Sequence, residues 1–184
     1  MKSKFLTLAL ICSAFLAKAQ GHYAGQSSIG ANYLFTENGN AYNLNYQKLV
    51  GNNYFGYRAD LTYTDRKDNL TVVVAEEVPH QLYSIGVSGT YSLEKLIPHP
   101  VYVQLFAGPQ YTYEVLNNNK GEDSKGVPYE NPKNHTYGLN GGVEIEGVLT
   151  KNFSIIATSL NHFLLNSEVR KFSPTYGIGI KYNF

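Results

Sequence analysis

Cysteine occurs once in these 184 residues, at Cys12, and tryptophan does not occur at all. Cys12 falls within an N-terminal stretch that reads as a removable leader. The rest of the chain therefore has no disulfide framework, no thiolate metal site and no cysteine nucleophile. Also missing is a long apolar run outside that leader. This excludes a helical membrane protein, which needs about 20 apolar residues per span. It does not exclude a barrel, whose strands are short and apolar only at alternate positions. Excess positive charge is lacking too. Lys2, Lys4 and Lys18 lie in the leader, which leaves 12 basic and 14 acidic side chains and a formal net charge of −2. Direct nucleic-acid binding is not expected of such a surface.

The leader has the three parts of a secretory signal. Lys2 and Lys4 give a basic start, Phe5 to Leu16 is an apolar run of 12 residues, and Ala17-Lys18-Ala19 supplies small residues for cleavage. The run is too short to remain as a spanning helix. A lipoprotein acylated at Cys12 is the alternative, but Ile11 is bulky before such a cysteine and the apolar run continues past it. The division expected is a signal peptide at 1–19 and a barrel at 20–184.

Eight alternating segments can be marked near 27–36, 40–49, 53–65, 80–92, 101–115, 135–148, 153–165 and 172–184. Each is long enough to cross a bilayer as a tilted strand, which takes about 9–11 residues. In the third, Phe55, Tyr57, Ala59, Leu61 and Tyr63 share one face, and Gly56, Arg58, Asp60, Thr62 and Thr64 share the other. The seventh carries apolar residues on both faces, so its register stays open. Short links at 50–52, 93–100 and 149–152 alternate with connections at 37–39, 66–79, 116–134 and 166–171. Two of the latter, 66–79 and 116–134, are long and polar. Bacterial barrels have short periplasmic turns and longer outer loops. With a periplasmic start, the long connections fall outside and the even strand count returns Phe184 to the periplasm.

Alternation does not by itself say which face is inside, since a soluble lipocalin-like barrel has the opposite sense. Here the polar face is mostly Gly, Ser, Thr, Asn and Gln, whereas a water-facing surface carries more charge. Tyr57 and Tyr63, Tyr83 and Tyr91, and Tyr176 and Tyr182 lie near the ends of the apolar faces, as in interfacial girdles. The expected fold is all-β: an eight-stranded antiparallel up-and-down transmembrane β-barrel of outer-membrane type. Its surroundings would be outer-membrane lipid. The last strand, with Tyr176, Ile178, Ile180, Tyr182 and Phe184 on one face, has the look of the closing strand that barrel-insertion machinery reads.

Chemistry-bearing residues are few. Arg58, Asp60, Glu144, Glu146 and Lys181 fall on the inner face, all in the periplasmic half, and can form one ion-pair network that closes the pore. Paired carboxylates for acid–base work are the sharper alternative, but nothing nucleophilic is placed beside them. His22, His80, His99, His135 and His162 form no short metal-ligand spacing, and only His162 lies within a strand, near the outer end of the seventh. Neither a cofactor nor a metal site is expected. In the outer loops, 117–134 is polar and turn-rich, while Val72-Val73-Val74 points to a strand extension or, alternatively, a protein contact patch.

Several stretches, in order and spacing, resemble the TraO family of conjugative-transposon proteins from Bacteroidetes. They are Gly25-Gln26, Val78-Pro79 leading to Gly89-Thr90-Tyr91, Gly108 to Tyr113-Glu114, Gly141 to Glu146, and Tyr176 to Lys181. The resemblance implies an envelope part of a conjugal transfer apparatus, other conjugation proteins as partners, and no enzyme. Two alternatives stay open. One is a barrel for adhesion or envelope stability. The other is a lipid A-modifying enzyme. Barrel deacylases of that kind keep a His and a Ser two positions apart, whereas here Leu164 follows His162 at that spacing, and neither Ser159 nor Ser167 replaces it.

Overall fold

The alternating segments form eight antiparallel strands: β1 (Ser27–Thr36), β2 (Gly39–Val50), β3 (Phe55–Thr71), β4 (Ala75–Ser92), β5 (Val101–Leu116), β6 (Lys133–Val148), β7 (Phe153–Leu164) and β8 (Phe172–Asn183). This computed structural model describes residues 25–51, 54–71, 75–93, 101–117, 133–167 and 169–184. The leader, Val72–Val74 and most of the 117–134 loop lie outside the described residues. Strands pair in chain order, and β8 pairs back with β1, so the sheet closes as a barrel. Closure removes both edges.

Two boundaries differ from expectation. The stretch read as a long polar connection at 66–79 is mostly strand, with β3 reaching Thr71 and β4 starting at Ala75. The ladder continues through Arg66↔His80 and Lys67↔Pro79. Polar residues there occupy both faces, so the hydropathy alternation fades while the backbone pairing persists. The histidine reading changes with it, because His80 and His135 also lie in strands. In β7 the open register resolves. Ser154, Ile156, Thr158, Leu160, His162 and Leu164 turn inward, and Phe153, Ile155 and Phe163 turn outward.

The barrel has a fixed stagger. Partners followed from Ser27 through Lys48, Tyr57, Gly89, Ala107, Gly141, Asn161 and Pro174 lead back to β1 at position 37, ten residues from the start. A stagger of this size goes with strands tilted about 40° from the barrel axis. A row of cross-strand partners therefore climbs around the wall instead of lying level. One such row is aromatic: Tyr33, Tyr42, Tyr63, Tyr83, Tyr113 and His135 are successive partners on β1 to β6. Their neighbouring rings lie 5.0–6.5 Å apart, the range in which aromatic pairs attract.

The faces are inverted relative to a soluble protein. Ile178, Ile180 and Tyr176 are each more than 60% exposed. Arg58, Asp60, Glu144, Glu146 and Lys181 are each at most 2% exposed. The lumen is not wholly polar, though. Leu34, Ala41, Phe106 and Leu160 form a buried apolar layer across it. This layer fits against glycine: a Cβ on Gly142 would meet the Ser159 carbonyl oxygen at 1.8 Å and the Phe106 ring at 2.8 Å. Gly142→Val is thus expected to cost at least ~1–3 kcal/mol through forced overpacking. The check is gel migration and denaturant unfolding of the folded chain in detergent. Unheated wild type should run as a compact, heat-modifiable band, and the variant should lose it at lower denaturant. Equal midpoints would contradict the packing described.

Candidate functional site

The inner half of the lumen holds a continuous chain of charges. Arg58 and Asp60 sit two apart on β3, so both turn inward, and Arg58 Nε donates to Asp60 Oδ1 at 2.8 Å. Across the lumen, Arg58 Nη1 donates to Glu144 Oε2 at 2.7 Å. Lys181 Nζ on β8 donates to Glu144 Oε1 and, at 2.8 Å, to Glu146 Oε2. The structure thereby brings together all five inner-face residues singled out from the sequence. Their two cations and three carboxylates leave one formal negative charge, and neutral donors add to the same carboxylates. Asn43 Nδ2 reaches Asp60 Oδ1 at 3.0 Å, Thr158 Oγ1 reaches Glu144 Oε2 at 3.4 Å, and Asn183 Nδ2 reaches Glu146 Oε1 at 3.3 Å. The Arg58 guanidinium also lies 4.3 Å over the Phe106 ring, a cation–π contact that fixes the network to the apolar layer.

A second network lies in the outer half. Arg66 Nε donates to Asp68 Oδ2 at 2.6 Å, and His80 Nδ1 is 2.7 Å from the same oxygen. Arg170 joins from the β7–β8 loop, with Nε 3.2 Å from Asp68 Oδ1 and Nη1 2.5 Å from Glu37 Oε2. Ser167 Oγ donates to Glu114 Oε1 at 2.9 Å. On β3 the outward face changes from Leu61 and Tyr63 to Asp65 and Lys67, so Asp68 lies above the apolar girdle. Burial opposes its charge, but the His80 hydrogen bond and the Arg66 and Arg170 cations hold its carboxyl below the usual range. This network was not anticipated. Its signal was present as a repeat, Arg58-Ala59-Asp60 followed eight residues later by Arg66-Lys67-Asp68.

Each inner carboxylate is engaged by a cation: Asp60 and Glu144 by Arg58, and Glu146 by Lys181. His162 Nδ1 faces Gln110 Oε1 at 2.7 Å inside the lumen, and Leu164 follows it inward. Among the described residues, no group of three His, Asp or Glu side chains could hold a metal ion. The closing strand keeps Tyr176, Ile178, Ile180, Tyr182 and Phe184 outward, each at least 43% exposed. Phe184 exchanges backbone hydrogen bonds with Ser27, at 2.8 and 3.1 Å, which ties the chain end to β1.

Comparison with known proteins gives a family and a set of folds. The family model described as conjugative transposon protein TraO matches residues 21–184. No curated protein matches. Among solved structures, OprG of Pseudomonas aeruginosa is 11% identical, with 91% of this chain and 99% of that one covered, at a TM-score of 0.66. Neisserial surface protein A is 16% identical, covering 90% and 100%, at 0.62. The attachment invasion locus protein Ail of Yersinia pestis is 18% identical, covering 88% and 100%, at 0.58. At these identities the likeness is one of fold.

Glu144 is the shared anion of the inner network, so removing it strands two buried cations. Glu144→Ala is expected to cost about 3–5 kcal/mol. Replacing all five residues, Arg58, Asp60, Glu144, Glu146 and Lys181, by apolar residues should cost less than Glu144→Ala alone, because no charge is then left unpaired. Denaturant unfolding in detergent measures both. A single variant milder than the fivefold one would contradict the network's role.

Proposed function

The chain belongs to the TraO family of conjugative transposon proteins, and we propose that it is a non-catalytic, integral outer-membrane component of a conjugative DNA-transfer apparatus. The observation that carries this reading is the family match over residues 21–184 together with an apolar outer wall of the kind that lipid covers. Among the described residues, thirty large apolar side chains are exposed, far beyond the scattered few that a soluble monomer presents. Residues 1–19 act as the export signal, residues 20–184 form the barrel, and the strand ending at Phe184 is read by the insertion machinery.

The role is structural, not that of a conduit. Two charge networks and the layer of Leu34, Ala41, Phe106 and Leu160 fill the lumen, and an eight-stranded barrel has an interior just wide enough for side chains. Such a lumen does not admit a DNA strand, so partners among the conjugation proteins meet the rims or the outer wall.

Deletion of the coding sequence from a conjugative element tests this. Transfer to recipients should fall sharply and be restored by the wild-type chain in trans. The protein should fractionate with outer membranes and resist salt and carbonate extraction. Undiminished transfer from the deletion strain would overturn the conjugation role, while a chain soluble without detergent would overturn the location.

A further inference from the structure

The outer wall is not smooth. A groove of about 580 Å³ runs across β1 to β5 on the outward face, within the roughly 300–1,000 Å³ typical of small-ligand sites. Ala31, Leu44, Leu61 and Ile85 are successive cross-strand partners along it. The climbing tyrosine row bounds it two residues farther out along each strand. Four strand spacings of about 4.8 Å give the groove a length of about 19 Å. One leaflet's hydrocarbon is about 15 Å deep. The ten-residue stagger makes the groove rise from β1 towards β5, with its β1 end deep in the wall and its β5 end near the outer rim.

The two ends differ in chemistry. The deep end is aliphatic. At the high end the Tyr111 hydroxyl is hydrogen-bonded to His135 Nδ1. Lys133 and His135 are exposed beside it on the outward face of β6. An inclined apolar trough with a basic, hydrogen-bonding head has the layout of a lipid: chain below, phosphate above. The groove is also continuous with the apolar wall that the bilayer covers, so its occupant comes from the bilayer.

We propose that this groove is a binding site for one phosphate-bearing lipid of the bilayer. An acyl chain lies along Ala31, Leu44, Leu61 and Ile85, and the headgroup sits against Lys133 and His135. The proposal rests on the outer-membrane reading and adds a specific ligand to it. The basic end attracts the phosphate, and the apolar floor gains by covering side chains such as Leu44, Leu61 and Ile85, each more than half exposed.

The test is native mass spectrometry of the detergent-purified barrel titrated with phosphatidylglycerol. Wild type should retain one lipid per chain. Leu61→Trp, which fills the floor, should lose it, and Ile155→Trp on β7, across the barrel from the groove, should not. Lys133→Glu leaves the floor intact and should also weaken retention, which covers the case in which Leu61→Trp fails to fold. Adducts equally abundant in wild type and Lys133→Glu, or absent from wild type, would overturn the site. If the chain still fractionates with outer membranes in that case, only the lipid site fails and the location stands.

Discussion

A sheet surrounded by lipid has no water to satisfy an open edge, and each unpaired backbone group there costs several kcal/mol. The pairing of β1 with β8, from Ser28↔Asn183 to Thr36↔Thr175, is therefore the constraint on which the rest depends. Closing eight strands fixes a narrow cylinder. A narrow cylinder must be filled, and its filling is polar where the outer wall is apolar. Charges brought inside then need partners. Asp60, Arg58, Glu144, Lys181 and Glu146 supply them to one another in sequence across three strands. The network follows from closure; it does not produce closure.

Much of this was legible in the residues, because period-two alternation is a direct imprint of the barrel wall. The third segment shows it plainly, with Phe55 to Tyr63 outward and Arg58 and Asp60 inward. Legibility failed where the two faces stop differing in polarity. From Arg66 to Asp68 charged residues take both faces, so the alternation gives no sign there that the ladder continues. In β7 both faces are apolar, because Ile156 and Leu160 fill the lumen while Ile155 and Phe163 meet lipid. The apolar layer around Phe106 was missed for the same reason: an expectation of small polar filling gives no cue to a ring that packs against Gly142. The inner-face charges could be named individually. Their connectivity could not, since it depends on register across strands far apart in sequence, such as Arg58 with Glu144.

Stacked in the lumen, the two networks and the apolar layer divide the work. The inner one joins β3, β6 and β8. The outer one joins β3, β4 and the β7–β8 loop, and reaches the β1–β2 turn through Glu37. The lumen is thereby bridged by ion pairs at both levels. The barrel's outer wall is differentiated as well. The tyrosine row climbs with the strand tilt, so aromatic rings reach from the middle of the wall towards the outer rim.

The central claim is that the chain crosses the outer membrane with its β1–β2 turn outside and its β7-leading turn in the periplasm. The absence of cysteine beyond Cys12 makes a direct measurement possible. Single variants Asn38→Cys and Thr150→Cys place one thiol at each end of the barrel. An impermeant maleimide applied to intact cells should label the first and leave the second unlabelled until the outer membrane is permeabilised. Labelling of Thr150→Cys in intact cells, or of neither variant before permeabilisation, would contradict this account.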